Sequence, residues 1–283
     1  MTGGRTDWLK QFSAFLLVIP FFPGQREVRA QGKEIRIAAA ADLKFAMGEL
    51  SGKFEKQTGT KVNVTYGSSG NFFSQLQNGA PFELFFSADI EYPKKLAAAG
   101  LAEPGTLYEY ALGRIVIWTP ADSKVDVTKD GWKALLDASV EKIAIANPEH
   151  APYGRAAVAA LQKAGIYESV KAKLVYGENI SQAAQFVQSG NVQAGILAMS
   201  LAVSPAMRDG KRWKIPAGTH PPLEQGAILL KDAKNKDAAR AFLEFVKSGA
   251  GRATLKKYGF EFPELTKKTK RDNAETQRAQ RER

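Results

Sequence analysis

Residues 35–54, IRIAAAADLKFAMGELSGKF, contain the pattern that decides the fold. The first seven of these residues form a short apolar run, which predicts a buried strand. Apolar residues then recur at the i, i+4, i+7 and i+11 positions of one helix face: Leu43, Met47, Leu50 and Phe54. Gly59 follows as a stop signal. A strand that passes directly into a helix is the repeating unit of an α/β fold.

The same alternation continues along the chain. Apolar runs that predict further strands are KVNVTY (61–66), ELFFSAD (83–89), GRIVIWTP (113–120), KIAIANP (142–148), KLVYG (173–177), AGILAM (194–199) and GAILLK (226–231). Stretches of helical period separate most of them, which predicts parallel sheets covered by helices. No repeat of 20–50 residues is present, so a solenoid is not expected.

The composition excludes several kinds of chemistry. The chain has 283 residues, enough for one large or two ordinary domains, with 44% hydrophobic and 24% charged residues. It has no cysteine, which excludes thiol nucleophiles, iron–sulfur clusters and disulfides. His150 and His220 are its two histidines, so a His-rich metal site is excluded and a Ser-His-Asp triad must use one of them.

The net charge of +11 is concentrated at the two ends. Residues 1–30 carry a net +2 and residues 267–283 a net +4, which leaves the body only mildly basic. Residues 264–283 have almost no large apolar side chain after Leu265, and we expect a charged, disordered tail there. Nucleic-acid binding is not expected, and as an alternative it would depend on this tail.

Residues 1–30 have the three-part layout of a secretory signal peptide. A basic start with Arg5 and Lys10 precedes an apolar stretch over 12–22, which is shorter than the ~20 residues that span a bilayer. Val28 and Ala30 place small residues at −3 and −1 of a cut after Ala30. The sequence therefore predicts an exported protein.

Four predicted strand-to-helix turns are rich in small residues: AAAD (39–42), GSSGN (67–71), NPEHAPYG (147–154) and GENIS (177–181). Small side chains let a ligand approach the backbone, and the first N–H groups of a helix have no partner within that helix. Each helix N-terminus carries roughly half a positive charge. Several of them aimed at one point would bind an anion without Lys or Arg.

Ordinary helix capping is the alternative explanation of these turns. Asp42, Ser69 and Asn179 are residue types preferred at N-caps in any protein. GSSG matches neither the phosphate-loop pattern nor the dinucleotide-binding pattern. The residues by themselves predict an α/β binding protein and leave both explanations of the turns open.

Five segments occur together in an order and spacing typical of one family. They are AAADLKFAM (39–47), YGSSGNF (66–72), NGAPFELFFSAD (78–89), NPEHAPYGRAA (147–157) and KKYGF (256–260). From Ile35 to Phe262 the chain resembles the periplasmic molybdate-binding proteins of ABC transporters. NGAPFELFFSAD followed by PEHAPYG is the most specific part of the likeness.

The resemblance implies a two-lobed, type II periplasmic binding fold. Each lobe would be a mainly parallel sheet flanked by helices, with the ligand cleft between the lobes and a hinge of two crossovers. The implied divisions are a signal peptide at 1–30, lobe one at 31–118, lobe two at 119–218, the return segment of lobe one at 219–263 and the tail at 264–283.

The resemblance also implies a function and a set of site residues. A tetrahedral oxyanion, molybdate or tungstate, would be held by backbone N–H groups and hydroxyls and released to a membrane permease. Enzyme activity, a cofactor and a metal-cation site are not implied, and the protein would be a monomer in the periplasm. Carried over by position, the oxyanion-binding residues are Ala41, Asp42, Ser69, Tyr153 and Ile180.

Two positions depart from the family pattern. Many members have Ser or Asn where this chain has Asp42, and some have Tyr where it has Ala198. A carboxylate at ~4 Å from a dianion is repelled by several kcal/mol at an effective dielectric near 20. We therefore expect the Asp42 side chain to cap its helix or to pair with Arg155, or else to accept a proton from a protonated ligand such as hydrogen phosphate.

Other ligands and another class of protein remain as alternatives. Sulfate, thiosulfate or phosphate would suit a similar cleft. A hydrolase would use the region of Glu149 and His150, although no nucleophile accompanies this pair in a recognisable frame. We expect His150 to fix its loop.

Overall fold

The computed structural model describes residues 34–263 together with Met1. The predicted signal peptide, apart from Met1, and the predicted tail at 264–283 lie outside the described residues, so both remain predictions. Within residues 34–263, no helix is long and apolar enough to cross a membrane.

Residues 34–263 form ten strands and ten α-helices. The strands are β1 (Glu34–Ala40), β2 (Lys61–Gly67), β3 (Leu84–Ser87), β4 (Tyr108–Gly113), β5 (Ile115–Thr119), β6 (Ile143–Ala146), β7 (Leu174–Gly177), β8 (Ala194–Ala198), β9 (Lys211–Lys214) and β10 (Leu223–Leu229). The helices are α1 (Lys44–Thr58), α2 (Ser69–Gln77), α3 (Glu91–Ala98), α4 (Val127–Asp130), α5 (Pro152–Lys163), α6 (Tyr167–Val170), α7 (Ile180–Gln188), α8 (Met199–Ala202), α9 (Lys236–Lys247) and α10 (Gly249–Lys257). Short 3-10 turns lie at Ala41–Leu43, Gly131–Leu136, Lys171–Lys173 and Ala217–Thr219.

The strands form two five-stranded sheets, one in each lobe. Lobe one has the order β2-β1-β3-β10-β4 and lobe two the order β7-β6-β8-β5-β9. The predicted parallel arrangement holds for β1 to β3 and for β6 to β8. β10 and β5 run antiparallel to both of their neighbours, so each sheet is mixed. Both strands follow a crossover from the other lobe, and an apolar run carries no signal of its direction.

The first crossover lies at Arg114. β4 ends at Gly113 in the sheet of lobe one, and β5 begins at Ile115 in the sheet of lobe two. The boundary predicted between 118 and 119 falls inside β5 and is wrong by a few residues. The apolar pattern of β5 identifies a buried strand, but its pairing partners β8 and β9 come from distant parts of the chain.

Helix α1 has the amphipathic pattern that the sequence predicts. Ala46, Met47, Leu50 and Phe54 are buried on one face. Gly59 ends the helix with φ = 70°, a left-handed conformation that glycine adopts without steric cost, and its N–H donates to the carbonyl oxygen of Glu55 at 2.8 Å. This helix extends from the turn Ala41–Leu43, which the prediction places at the site.

Three elements have no clear signal in the sequence. β4 and α10 lie outside the apolar and helical runs that the sequence predicts, and β9 consists of KRWK, whose charges do not suggest a strand. β9 is an edge strand whose Trp213 packs on Trp132 with ring centroids 5.4 Å apart. The strand therefore depends on pairing with β5 and on one aromatic contact.

The core of lobe one is built around aromatic rings from separate elements. Phe242 of α9 lies edge-on to Phe54 of α1, with centroids 5.1 Å apart, and to Phe86 of β3, with centroids 6.2 Å apart. All three side chains are buried. This cluster packs α1 and α9 against β3 of the same sheet.

We expect Phe242→Ala to lower the free energy of unfolding by about 3–5 kcal/mol, because it leaves a cavity among packed rings. The matched control is Leu136→Ala in lobe two, where the Leu136 side chain is 44% exposed. The control should change the free energy by about 0.5 kcal/mol or less. Urea denaturation followed by circular dichroism measures both, and equal losses in the two variants would contradict the assigned core.

Candidate functional site

The structure places the five predicted site residues in buried positions where the lobes meet. Ala41, Asp42, Ser69, Tyr153 and Ile180 are each at most 3% exposed. Ala41 also belongs to the apolar cluster of lobe two, together with Tyr153 and Ile180. The turn that contains Ala41 and Asp42 packs against α7, which begins at Ile180. Residues from four distant segments therefore converge on one region.

Three of these residues lie in the first turn of a helix. Ser69 begins α2, Tyr153 is the second residue of α5 and Ile180 begins α7. The backbone N–H groups of a first helical turn have no partner within their own helix. The structure therefore directs three positive helix ends, two from lobe two and one from lobe one, toward the lobe interface.

Hydrogen bonds between the lobes hold these helix ends close together. The Gly70 N–H donates to the carbonyl oxygen of His150 at 2.9 Å. The side chain of Ser68 lies 2.9 Å from His150 Nδ1, and Asn71 Nδ2 donates to Glu178. α2 of lobe one is thus joined to the turns before α5 and α7 of lobe two.

Gly70 is required by this close approach. A Cβ atom at Gly70 would lie 2.6 Å from the carbonyl oxygen of His150. Contacts between real Cβ atoms and their neighbours are never so short, so any side chain here would push α2 away from lobe two. The glycine of the GSSGN turn therefore serves the contact between the lobes.

Ser69 has a hydroxyl suited to ligand binding. Its Oγ accepts a hydrogen bond from the Ala88 N–H at 3.0 Å. This bond uses a lone pair of the oxygen and orients the side chain, so the hydroxyl proton can be donated to a ligand. The same residue thus offers a hydroxyl and a first-turn backbone N–H.

The Asp42 side chain has partners that the sequence prediction did not name. Its Oδ2 accepts hydrogen bonds from the Tyr153 hydroxyl at 2.9 Å and from Gln225 Nε2 at 2.7 Å. The prediction that it caps its helix or pairs with Arg155 is wrong. The 3-10 turn has Ala40 at its N-cap with no side-chain capping bond, and Arg155 donates to Asp89 at 2.7 Å.

Burial determines the titration of Asp42. Loss of hydration raises the pKa of this carboxyl to about 6, and the hydrogen bonds from Gln225 and Tyr153 offset part of that rise. The pKa of the Tyr153 hydroxyl is held well above its usual range by burial and by the neighbouring Asp42. The site therefore holds a carboxyl that can change its charge near neutral pH.

Asp42 and Tyr153 form a buried polar cluster with three further residues, Tyr110, Ser200 and Gln225; we call this cluster the Asp42 junction. Sequence reasoning missed these three residues. Tyr110 of β4 donates from its hydroxyl to Gln225 Oε1 at 2.7 Å, which directs the Gln225 amide N–H toward Asp42. Ser200 of α8 donates to the backbone carbonyl oxygen of Asp42 at 2.8 Å. The signal in the sequence was a Gln directly before the apolar run GAILLK, but nothing in the sequence shows that Gln225 is buried or identifies its partners.

Glycine also makes room for this junction. A Cβ atom at Gly113 would lie 2.5 Å from the Tyr153 hydroxyl oxygen and 2.7 Å from Gln225 Nε2. Gly113 is the last residue before the first crossover. The hinge and the Asp42 junction are therefore in direct steric contact.

Charged and polar side chains surround the buried site at its edge. Arg155 donates to Asp89 across the lobes, and it also reaches the Tyr92 hydroxyl at 3.3 Å. His150 Nε2 lies 3.7 Å from Glu178. Arg155 and His150 therefore already have partners within the protein.

The structure does not join Glu149 and His150 as a catalytic pair. The Glu149 side chain is exposed, whereas His150 contacts Ser68 and Glu178. The Ser68 hydroxyl also lies 3.0 Å from the His150 carbonyl oxygen, so it is engaged in fixing this loop. Among residues 34–263, no group of three or more His, Cys, Asp or Glu side chains could hold a metal ion.

Comparisons with known proteins agree with this geometry. Residues 35–261 match the family model described as bacterial extracellular solute-binding protein. The chain is 38% identical to the molybdate-binding protein ModA of Azotobacter vinelandii, over 88% of this chain and 98% of that protein. It is 38% identical to ModA of Rhodobacter capsulatus, over 82% of this chain and 89% of that protein.

The fold matches the whole of one solved structure. The periplasmic molybdate-binding protein of Azotobacter vinelandii superposes with a TM-score of 0.77 and 32% sequence identity, covering 81% of this chain and 100% of that chain. The chain therefore belongs to the family of bacterial extracellular solute-binding proteins, the family it shares with the ModA proteins of these two bacteria.

Proposed function

We propose that this protein captures molybdate or tungstate in the cleft between its lobes and delivers it to the permease of an ABC transporter. The observation that carries the proposal is the convergence of first-turn N–H groups and the Ser69 hydroxyl at one buried interface. The two relatives at 38% identity are named molybdate-binding proteins, which supports the choice of molybdate. Tungstate is included because it has the same shape and charge.

The donors of this site suit a tetrahedral dianion. Backbone N–H groups are fixed by their helices, so they need little reorganisation on binding, and the helix ends supply a positive potential. Rigid donors also define the size of the anion that they can contact together, which favours one class of oxyanion over smaller ones. We assign the oxyanion contacts to Ala41, Asp42, Ser69, Tyr153 and Ile180, with hydrogen bonds to the anion oxygens.

Closure of the two lobes would couple binding to delivery. Two crossovers join the lobes, and in this structure the hydrogen bonds of Gly70 and Asn71 to lobe two hold the lobes together in a closed state. An anion held by both lobes would stabilise that state and so report occupancy to a permease. We propose that the protein does this in the periplasm, as an exported monomer without catalytic activity or a cofactor.

Calorimetric titration with four oxyanions tests the ligand. We expect the chain that begins after Ala30 to bind molybdate and tungstate one to one, and about 100-fold or more tighter than sulfate or phosphate, a difference of about 2.7 kcal/mol. Tighter binding of sulfate, thiosulfate or phosphate would replace the ligand assignment. No heat with any of these anions would contradict oxyanion binding by a folded protein.

A pair of helical glycines tests the role of lobe closure. Gly70→Ala should weaken molybdate binding at least tenfold, or by about 1.4 kcal/mol, because the new Cβ cannot fit against His150 in the closed cleft. Gly48→Ala is the matched control, since a Cβ at Gly48 on α1 would meet no atom within 4 Å. The control should bind molybdate as the parent does. Equal affinities of both variants would show that closure does not require the α2 contact.

A further inference from the structure

Asp42 is a buried acid whose direct partners are neutral. Its Oδ2 accepts hydrogen bonds from Tyr153 and Gln225, neither of which carries a positive charge. Its Oδ1 is buried and makes no hydrogen bond of normal geometry among the described residues, although the backbone N–H groups of Asp42 and Leu43 also lower the pKa of this carboxyl. A buried oxygen without a partner in a native site calls for an explanation such as a bound ligand or a proton.

The elements packed around Asp42 supply no cation to balance it. Its turn packs against α1, α7, α8 and β2. α7 and α8 contain no titratable side chain, and β2 contributes Tyr66, whose pKa is raised to about 12 by burial. The nearest basic residue along α1 is Lys44, which is exposed and lies over the ring of Phe45.

The remaining titratable groups near Asp42 are hydroxyls or are already paired. Tyr110 and Tyr153 face it from β4 and α5, and both stay neutral because burial raises the pKa of each well above its usual range. Arg155, the one basic residue on the first turns of α5, is paired with Asp89. A charged Asp42 would therefore meet a dianion without any intervening positive side chain.

Two like charges cannot share a water-poor site at low cost. Either the anion is repelled or one partner becomes neutral. A neutral carboxylic acid has an O–H that can be donated, and Oδ1 is the atom that is free to carry it. Protonation thus removes the repulsion and adds a donor at the same time.

We propose that Asp42 binds the oxyanion as a neutral carboxylic acid, taking up one proton from solvent for each anion bound and donating it from Oδ1 to an oxygen of the anion. The inference rests on the proposed function. The anion keeps both of its charges, the proton comes from water or buffer, and no bond to the central metal atom of the anion is involved.

The titration of the unliganded carboxyl agrees with this role. Burial places the pKa of Asp42 at about 6, so below that pH the proton is already present and affinity should not depend on pH. Above it each binding event must take up a proton. The affinity for molybdate should then fall about tenfold for each pH unit.

The experiment is calorimetric titration of the full chain with molybdate from about pH 6 to about pH 8, in pairs of buffers with different ionisation enthalpies. We expect uptake of nearly one proton per anion at the upper end of this range. Asp42→Asn keeps a neutral side chain with a donor, so it should bind molybdate without proton uptake and with an affinity that is independent of pH.

Two further variants keep the result interpretable. Tyr153→Phe removes a hydrogen bond that stabilises the charged form of Asp42, and it keeps the backbone N–H of residue 153. The pKa of Asp42 should therefore rise, and the affinity for molybdate should begin to fall at a higher pH than in the parent chain. Asp209→Asn is the control, because the Asp209 side chain is 88% exposed in lobe two. This control should reproduce both the affinity and the proton uptake of the parent.

Three outcomes would overturn the proposal. Tight binding by the parent chain without proton uptake would show that Asp42 stays charged. Proton uptake that persists in Asp42→Asn would assign the proton to another group. If neither the parent nor Asp42→Asn binds molybdate at any pH while thermal melts show both to be folded, the proposed function fails and this inference fails with it.

Discussion

The first-turn N–H groups of Ser69, Tyr153 and Ile180, which have no partner within their own helices, are the constraint on which the rest of the structure depends. They are buried where the lobes meet, and a buried donor without a partner is costly. Other first-turn donors have partners within the protein: the Gly70 N–H donates to the His150 carbonyl oxygen across the cleft, and the Asn179 side chain caps α7 by accepting from the N–H groups of Ser181 and Gln182. The remaining donors form a positive, rigid surface that a dianion can satisfy.

The Asp42 junction connects this surface to the hinge. Gln225 lies on β10 just after the second crossover, and Tyr110 lies on β4 just before the first. Both reach Asp42 or its partners by hydrogen bonds, and Gly113 at the first crossover leaves the space they occupy. Hydrogen bonds of about 3 Å therefore connect the Asp42 carboxyl to strands next to both crossovers.

Much of the fold and part of the site could be predicted from local sequence patterns. The strands β1 and β3, helix α1 and the turns at Asp42, Ser69, Tyr153 and Ile180 follow from periodicity and small residues. The site hypothesis named turns that the structure brings together at the lobe interface, because first-turn N–H groups are a local property of helices. It named the wrong partner for the Asp42 side chain, because Tyr153 and Gln225 are separated from Asp42 by 111 and 183 residues.

The chain alone thus established an α/β protein with donor-rich turns, since hydrophobic periodicity and helix-end chemistry act over a few neighbouring residues. The three-dimensional arrangement was needed to assign β5 to lobe two, to reverse the direction of β10 and to surround Asp42 with neutral donors. Strand pairing and the partners of Asp42 depend on which distant segments of the chain meet. Burial, which raises the pKa of Asp42, exists only once both lobes have folded around it.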